Sequence, residues 1–312
     1  MFYCLLVFHL AIVLIAPIFS MGLINRVKSL WAGRRGPRLN QTWFDLVRLL
    51  HKTPVYSVTT SWIFPIAPLV ILATTITASL LSPIVPGFAP LGFRGDFVAF
   101  AYILGLGKLF LMLGALDTGS AFEGMGASRE ATYSALAEPA LLLGLGTLAW
   151  ASGSQSFQDL VMPDGSWFND IALRILIGVA LMVVLLIESS RVPADDPCTH
   201  LELTMVHEVM ILDHSGPELA IVQYASAMKM TMFAGIVASI LNPFSANSGP
   251  LSIVLAVICS VVLISAIAIF VGLIESVTAR LRFRALPLFT MSAFIAVLLA
   301  LVVTAGNQGV SP

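Results

Sequence analysis

The chain has 312 residues, of which 58% are hydrophobic and only 11% are charged, and its formal net charge at pH 7 is −1. Soluble domains carry about 25% charged residues, so this composition excludes a soluble protein with a single core and predicts an integral membrane protein. The near-neutral charge balance also argues against nucleic acid as a partner.

Eight stretches are apolar over a length close to the roughly 20 residues that cross a bilayer as a helix. We therefore predict an all-α polytopic membrane protein, with residues 1–312 forming a single integral domain in the cytoplasmic (inner) membrane. The predicted spans are approximately 2–24, 60–82, 97–118, 135–152, 170–188, 217–241, 251–275 and 286–305. The first stretch lacks the basic residues that open a signal peptide, so we interpret it as a membrane helix.

The basic residues indicate the orientation of the spans. The odd-numbered loops hold nearly all of the loop lysines and arginines, whereas the even-numbered loops hold only Arg94. Because basic loops stay in the cytoplasm, we expect both termini outside.

The first loop contains a rigid basic turn and a short helix. In GRRGPRL, a glycine and a proline fix a turn from which Arg34, Arg35 and Arg38 project. Thr42 and Asp45 have capping-box spacing, and the residues after them form an amphipathic pattern. We expect a helix lying in the membrane interface, although a simple positive-inside anchor is the alternative.

The third and fifth loops are also predicted to be cytoplasmic. We read the sequence from Leu116 as a loop that ends near Pro139, at the start of the fourth span. Residues 188–218 are interpreted as a structured acidic loop, in which Asp196 caps a helix that begins at Pro197 and ends near Leu212.

Charged residues at the ends and in the middle of the spans suggest a path for protons. Acids at the predicted cytoplasmic edge are Asp117, Glu138, Glu188, Glu218 and Glu275. Lys108 and Lys229 lie near mid-membrane, where charge is costly and where lysines exchange protons readily. The alternatives are helix capping for the acids and snorkelling for the lysines.

Metal binding and catalysis by this chain are not predicted. His200, His207 and His214 recur every seven residues, so successive rings stand about 10 Å apart, too far for one ion. A solvated or docking face is the expected role. The cysteines form no C-x-x-C pair, and the chain has neither a G-x-S-x-G motif nor a P-loop, so no redox centre or nucleophile of its own is expected.

Several motifs together resemble one family of membrane subunits. They are GRRGP at 33–37, LDTGS at 116–120, GASREA at 126–131, the Glu138-Pro139 pair and the acidic fifth loop. This combination resembles the eight-span subunit shared by respiratory complex I and the group 4 membrane-bound [NiFe] hydrogenases, with the formate hydrogenlyase-like members most similar. The segment after the fifth span departs from the formate hydrogenlyase pattern, and this departure leaves the electron donor and acceptor open.

The resemblance implies a connector that anchors a peripheral redox arm and couples it to proton movement. It implies that the fifth-loop acids Glu202, Glu208 and Asp213 join the path, and that Asp195 and Asp196 help the arginines to dock the arm. The expected partners are hydrogenase-like large and small subunits, an iron–sulfur subunit and antiporter-like membrane subunits. The [NiFe] centre and iron–sulfur clusters would lie in those partners, and quinone stays open as a cofactor.

Two other functions are compatible with the sequence. One is the quinone-site subunit of an NADH-quinone oxidoreductase. The other is a freestanding ion transporter, although such proteins often show paired halves with interrupted helices and no such symmetry stands out here.

Overall fold

Helices account for the regular structure of the computed structural model, which describes residues 2–161, 171–195, 205–246, 249–279, 281 and 285–309. In chain order the helices are α1 (Phe2–Trp31), α2 (Gln41–Leu50), α3 (Ile63–Leu81), α4 (Asp96–Asp117), α5 (Ala121–Ser152), α6 (Phe157–Leu160), α7 (Ile171–Glu188), α8 (His207–Met210), α9 (Gly216–Leu241), α10 (Pro250–Val277) and α11 (Leu286–Gly309). Within these ranges the only β contact is one bridge between Val85 and Phe88.

Eight helices of the described part of the chain are long and apolar enough to cross a membrane: α1, α3, α4, α5, α7, α9, α10 and α11. This confirms the prediction of an all-α polytopic fold with eight spans. Most of the predicted boundaries lie within a few residues of the helix ends.

The third loop is the main difference. The residues that follow Ser120 continue as helix through Pro139, so α5 runs without interruption from Ala121 to Ser152. The prediction of a loop up to Pro139 is therefore wrong. The stretch is rich in alanine and glutamate, which favour a helix, and membrane helices tolerate an internal proline because neighbouring groups satisfy the freed carbonyl.

Helix α9 is the centre of the bundle. It packs against α1, α2, α3, α7 and α10, and nearly every residue from Ala225 to Ile240 is buried. Phe233 stacks edge-on against Phe100 of α4. Because α9 is surrounded by protein, any charged side chain in its middle needs a partner of opposite charge. Lys229 is its one lysine and lies in this buried part.

The spans alternate in direction, so α1 begins and α11 ends at the same end of the bundle, which we call the terminal end. At this end the buried Asp96 accepts hydrogen bonds from the amides of Phe157 (2.6 Å) and Phe93 (3.3 Å), which ties α4 to α6. Of the described residues, the opposite end carries the segments 32–62, 118–120, 189–195, 205–215, 278–279, 281 and 285, and we call it the basic end.

The short helix expected in the first loop is present as α2. Leu46 and Leu49 are buried against Ala220 of α9, while Trp43 and Phe44 are exposed. The expected capping box is wrong, because the Asp45 carboxylate faces Gln41 (3.2 Å) and Arg48 (3.5 Å) of the same helix instead.

The fifth loop folds back over the bundle. Of the helix expected from Pro197 to Leu212, the described residues show only the single turn of α8, so that prediction is wrong for residues 205–212. Helix α8 packs against α5, where a side chain at Gly126 would overlap Val209. The absence of a Cβ at Gly126 therefore lets the loop lie close to α5.

Candidate functional site: a buried charge cluster and its cleft

Two lysines from different helices converge on one buried carboxylate. Lys108 Nζ of α4 lies 2.5 Å from Glu188 Oε1, and Lys229 Nζ of α9 lies 3.0 Å from Glu188 Oε2 as an ion pair. Lys108 also reaches Glu138 Oε1 (3.2 Å) and Ser134 Oγ (3.1 Å) on α5. We call Lys108, Glu130, Glu138, Glu188 and Lys229 the charge cluster.

Helix α7 ends inside the bundle, and its last residue therefore lies there as the centre of the cluster. Glu188 is its last residue and is 5% exposed, and the following turn stays buried instead of emerging. The buried residues of this turn are Ser189, Arg191, Val192, Ala194 and Asp195. Glu188 thus ends the fifth span, as the sequence predicts, but protein encloses its carboxylate.

Glu130 is a member of the cluster that the sequence analysis did not single out. It lies within the GASREA segment, now part of α5, and it is 7% exposed. Its Oε2 atom has no hydrogen-bond partner among the described residues, and its nearest positive charges are Lys108 and Lys229. Glu130 and Glu138 are spaced so that they lie on similar sides of one continuous helix. The sequence analysis predicted a loop between them, so it could not use this spacing.

A small cavity adjoins the cluster. Its volume is about 20 Å³, and its lining includes Lys108, Glu130, Glu188 and Lys229. A polar cavity above roughly 10–15 Å³ is large enough for one water molecule, which needs two to four polar partners. The cavity can therefore hold a water that joins carboxylates which do not touch directly.

A larger polar cleft opens beside this cavity. It has a volume of about 250 Å³ and lies between α1, α2, α9 and the fifth loop. Asp45, Arg191 and Glu208 are among its charged lining residues. Ser190, His207 and Ser226 line both the cleft and the cavity, so they form the partition between them.

His207 is the titratable group of this partition. Burial, followed by the positive charges of Lys229 and Arg191, lowers the pKa of His207 to about 4. The ring is therefore neutral near pH 7, with one nitrogen that donates and one that accepts. A neutral imidazole between a polar cleft and buried carboxylates can pass a proton from one to the other.

The fifth loop is held in place by buried acids. Asp195 Oδ2 accepts hydrogen bonds from the amides of Val206 (3.1 Å) and His207 (3.0 Å). Glu123 Oε1 accepts one from the Asp213 amide (3.1 Å). Asp195, which was expected to dock a partner, is 1% exposed and instead fixes the position of His207.

Glu275 pairs with Arg191 of the cleft wall and is not part of the charge cluster. Its fully buried carboxylate pairs with Lys28 (2.8 Å) of α1 and Arg191 (3.3 Å) of the fifth loop. This pair of contacts joins α10 to α1 and holds Arg191 at the cleft.

Glu218 forms a separate network at the basic end. Tyr56 donates a hydrogen bond to Glu218 Oε1 (2.5 Å), and His214 lies 3.3 Å from Oε2. The hydrogen bond to Glu218 raises the pKa of Tyr56, and burial lowers that of His214, whose ring stacks on Phe64. His214 is 3% exposed, so the expected solvated histidine face is wrong at this residue.

The remaining predicted path residues are not part of the cluster. Asp117 caps the start of α3 by accepting from the amides of Ser61 (2.7 Å) and Phe64 (3.3 Å). Asp213 is exposed, and Glu208 lines the cleft. Asp196 and Glu202 lie outside the described residues.

The predicted docking arginines are at the surface. Arg34, Arg35 and Arg38 are exposed in the turn after α1, and within the described ranges they form no ion pair. The described residues also contain no group of three His, Cys, Asp or Glu side chains that is placed to hold a metal ion.

Known proteins are similar to this chain in sequence and in fold. Formate hydrogenlyase subunit 4 of Escherichia coli (strain K12) is 29% identical over 287 residues, which cover 90% of this chain and 91% of that protein. Hydrogenase-4 component C of the same strain is 28% identical over 286 residues, 89% of each chain. A chain in the solved structure of the membrane-bound sulfane sulfur reductase, an archaeal respiratory membrane complex, has the same fold with a TM-score of 0.75 at 19% identity, over 95% of this chain and 99% of that one.

The resemblance predicted from the motifs is thereby confirmed. The sequences of the family described as NADH dehydrogenase match residues 4–306, which is nearly the full length. The chain belongs to the NADH dehydrogenase family.

Proposed function

We propose that this chain is the membrane connector subunit of a hydrogenase-type oxidoreductase, in which the charge cluster couples the redox reaction of a peripheral arm to proton movement. The similarity to subunits named for formate hydrogenlyase and hydrogenase-4 supports the type of complex. The convergence of Lys108 and Lys229 on Glu188 is the single observation that carries the coupling role.

A purely structural role explains this arrangement poorly. Burying charges costs several kcal/mol for each ion, and a well-packed apolar set is often equally stable or more stable. The cluster holds two lysines and three carboxylates, of which Glu130 and Glu188 are buried and Glu138 is partly exposed, so its charge balances when one carboxylate carries a proton. That proton is the one we propose to move during turnover.

The cavities supply an entry from the basic end, which we place in the cytoplasm. A proton enters the polar cleft, passes the partition at His207 and Ser226, and reaches the carboxylates through the water-sized cavity. Lys108 then shifts its pairing between Glu188 and Glu138, both of which lie within 3.2 Å of its Nζ atom.

We propose that the proton leaves the chain at Glu138. The Glu138 side chain is 39% exposed and lines neither the cleft nor the small cavity. A carboxylate facing hydrocarbon is costly, by about 2.5–3.5 kcal/mol on insertion scales. We therefore propose that another membrane subunit, of the antiporter-like kind, covers Glu138 and accepts the proton.

The exposed basic turn is the part of the chain that we propose binds the redox arm. Arg34 and Arg35 are free of ion pairs to described residues and lie at the same end as the cleft. We propose that they dock the redox arm, with its large, small and iron–sulfur subunits, above the cleft. The [NiFe] and iron–sulfur centres belong to that arm.

Quinone binding is the second candidate, and the cleft supports it less well. Pockets for ligands of drug size have volumes of about 300–1,000 Å³ and mostly apolar walls. The cleft has about 250 Å³ and is lined by Asp45, Arg191, Asp195 and Glu208. These features fit a water-filled entrance better than a quinone head group.

The proposal is tested in the intact complex reconstituted into vesicles. Glu188→Gln and Glu138→Gln each keep the shape and an acceptor for Lys108 but remove the negative charge and cannot exchange a proton. We expect both complexes to assemble, with electron transfer to a soluble dye retained and redox-driven formation of a pH gradient lost.

The matched control is Asp213→Asn. The Asp213 side chain is exposed, and the contact recorded for this residue is made by its amide. This variant should form the gradient at the wild-type rate. Gradient formation at wild-type rates in both glutamine variants would refute the coupling role.

A further inference from the structure

An apolar groove runs along the outside of the bundle between α1 and α10. It is lined by one face of α1 from Phe8 to Leu23, by Val257 to Ser265 of α10, and by Leu39. Its volume is about 520 Å³, and serine hydroxyls are its only polar side-chain groups. Phe8, Ile15 and Phe19 are about half exposed along it, so the groove opens toward the lipid and not into the bundle.

The basic turn closes one end of this groove. Leu39 lines the groove and follows Arg38 directly. A side chain at Gly22 would overlap the Leu39 carbonyl, and a Cβ at Gly36 would lie 3.0 Å from Arg26 Cα. The turn is therefore packed against α1 at two points, which fixes Arg38 beside the mouth of the groove.

The mouth is strongly basic. Arg38 adjoins Leu39, and Arg26 lies on α1 shortly after Leu23 and beside Gly36. Both are exposed, as are Arg34 and Arg35 of the same turn, and none of the four forms an ion pair among the described residues. Glu275, the acidic residue at the adjoining end of α10, is buried and already pairs with Lys28 and Arg191. Positive charge at the mouth is thus left without compensation from described neighbours.

From this geometry we propose that the groove binds one anionic phospholipid of the adjacent leaflet. One acyl chain lies along α1, and the phosphate is held at the mouth by Arg38 and Arg26. Basic sites at the ends of membrane helices attract anionic head groups, at about 1 kcal/mol for each Lys or Arg. An apolar helix of a partner would fill the groove but would leave the arginines without a negatively charged partner.

The dimensions agree with an acyl chain. Phe8 and Leu23 are separated by about 22 Å along α1 at the helical rise. The hydrocarbon core is about 30 Å thick, so the groove is long enough for a slightly tilted chain to cross one leaflet. Bound there, the lipid would brace the basic turn against α1 and α10, independently of any proton path.

The test uses the whole complex, purified in detergent and washed to remove loosely held lipid. Ala11→Phe places a ring in the groove without touching an arginine, and Ala266→Phe makes the same change on an exposed part of α10 outside the groove. Lipid extraction and mass spectrometry give the anionic phospholipid retained per complex. We expect the wild type and Ala266→Phe to retain about one equivalent more than Ala11→Phe.

A second variant separates the head group from the chain. In rebinding measurements with phosphatidylglycerol and phosphatidylcholine, Arg38→Gln should lower the preference for phosphatidylglycerol about fivefold, the effect of one basic residue. The soluble subunits should stay attached in this variant. Their detachment would instead assign Arg38 to docking of the redox arm and would overturn the lipid site.

A photo-crosslinker at Ile15, which lines the groove, identifies the occupant directly. Crosslinks to phospholipid are the expected result. Crosslinks to a membrane polypeptide, or equal anionic lipid in Ala11→Phe and the wild type, would refute the proposal.

Discussion

At the scale of residues, the central feature is a carboxylate shared by two lysines. Glu188 is 2% exposed in its side chain and is contacted by Lys108 and Lys229 from different helices. Low dielectric strengthens these contacts and equally penalises any change that leaves a charge unpaired. Removing the proton from one cluster carboxylate therefore changes the energy of the whole cluster, which is what coupling requires.

The first prediction concerns His207 and pH. Its pKa of about 4 in the closed loop lies below its ordinary value of 6.5. As the pH falls below 6.5 the opened loop takes up a proton first, so closure is fully stable above pH 6.5 and weakens progressively between pH 6.5 and 4. Hydrogen exchange of the amides of residues 205–215 should show increased opening over this range.

His207→Gln removes the titration of this ring and should reduce the pH dependence, while the buried His214 of the same loop, whose pKa is also lowered by burial, accounts for the part that stays. The charged groups nearest to the ring, Lys229 and Arg191, stay in place in that variant. His51→Gln is the control, because the exposed His51 ring bonds only to its own helix, at the Val47 carbonyl. An unchanged pH dependence in His207→Gln would contradict the assignment.

The sequence indicated part of the cluster but not its composition. Lys108, Glu138, Glu188 and Lys229 stood out because charge is rare in this chain, and the structure brings these four together. Local sequence does not distinguish them from Asp117 or Glu218, which have similar positions in their spans. Which acids share a site depends on the rotation and packing of whole helices.

At the scale of elements, the fifth loop and α5 form one unit. Helix α8 rests on α5 at Gly126, where a Cβ would overlap Val209 and lie 3.0 Å from Met210 Cγ. The loop also contributes Asp195 and His207 to the wall around the cluster. The position of α8 therefore sets whether the cleft and the cavity stay in contact.

The second prediction tests this packing. Gly126→Ala should displace α8, with a cost of about 1–3 kcal/mol for overpacking. Limited proteolysis of the fifth loop in the purified complex should then be faster. Gly146→Ala lies in the same helix with no atom within 4 Å, so it should change proteolysis little. Equal proteolysis of both variants would mean that the loop is held elsewhere.

The helices were predictable from the length and apolarity of their segments, whereas the polar connections were not. The part of α5 from Ala121 to Pro139 carries several polar and charged residues, so its low hydropathy led to the prediction of a loop. In the fifth loop, Asp196-Pro197 indicated a helix start, but the described loop residues form turns and the single helical turn of α8, held by Asp195. Contacts distant in sequence decide the structure of such segments.

At the scale of the whole molecule, the orientation in the membrane is the next prediction. The loops of the basic end should face the cytoplasm because they carry nearly all loop lysines and arginines. In intact cells, and in a variant whose native cysteines Cys4, Cys198 and Cys259 are replaced by serine, Pro312→Cys should react with a membrane-impermeant thiol reagent. Val58→Cys, at a fully exposed residue of the basic end, should react only after permeabilisation. The reverse pattern would invert the topology.

In the proposed mechanism, a redox arm at the basic end drives a proton through the cluster toward Glu138. Coupling of this kind requires that a carboxyl group of the cluster change its protonation when the arm is reduced or oxidised. It also requires that the surface and capping acids, such as Asp213 and Asp117, do not.

Redox-triggered infrared difference spectroscopy of the intact complex measures this change most directly. The proposed mechanism predicts a carboxyl C=O band that appears on turnover, shifts in deuterated water, and is lost in Glu138→Gln or Glu188→Gln but kept in Asp213→Asn. A wild-type spectrum without such a band, or a band that survives in both glutamine variants, would contradict it.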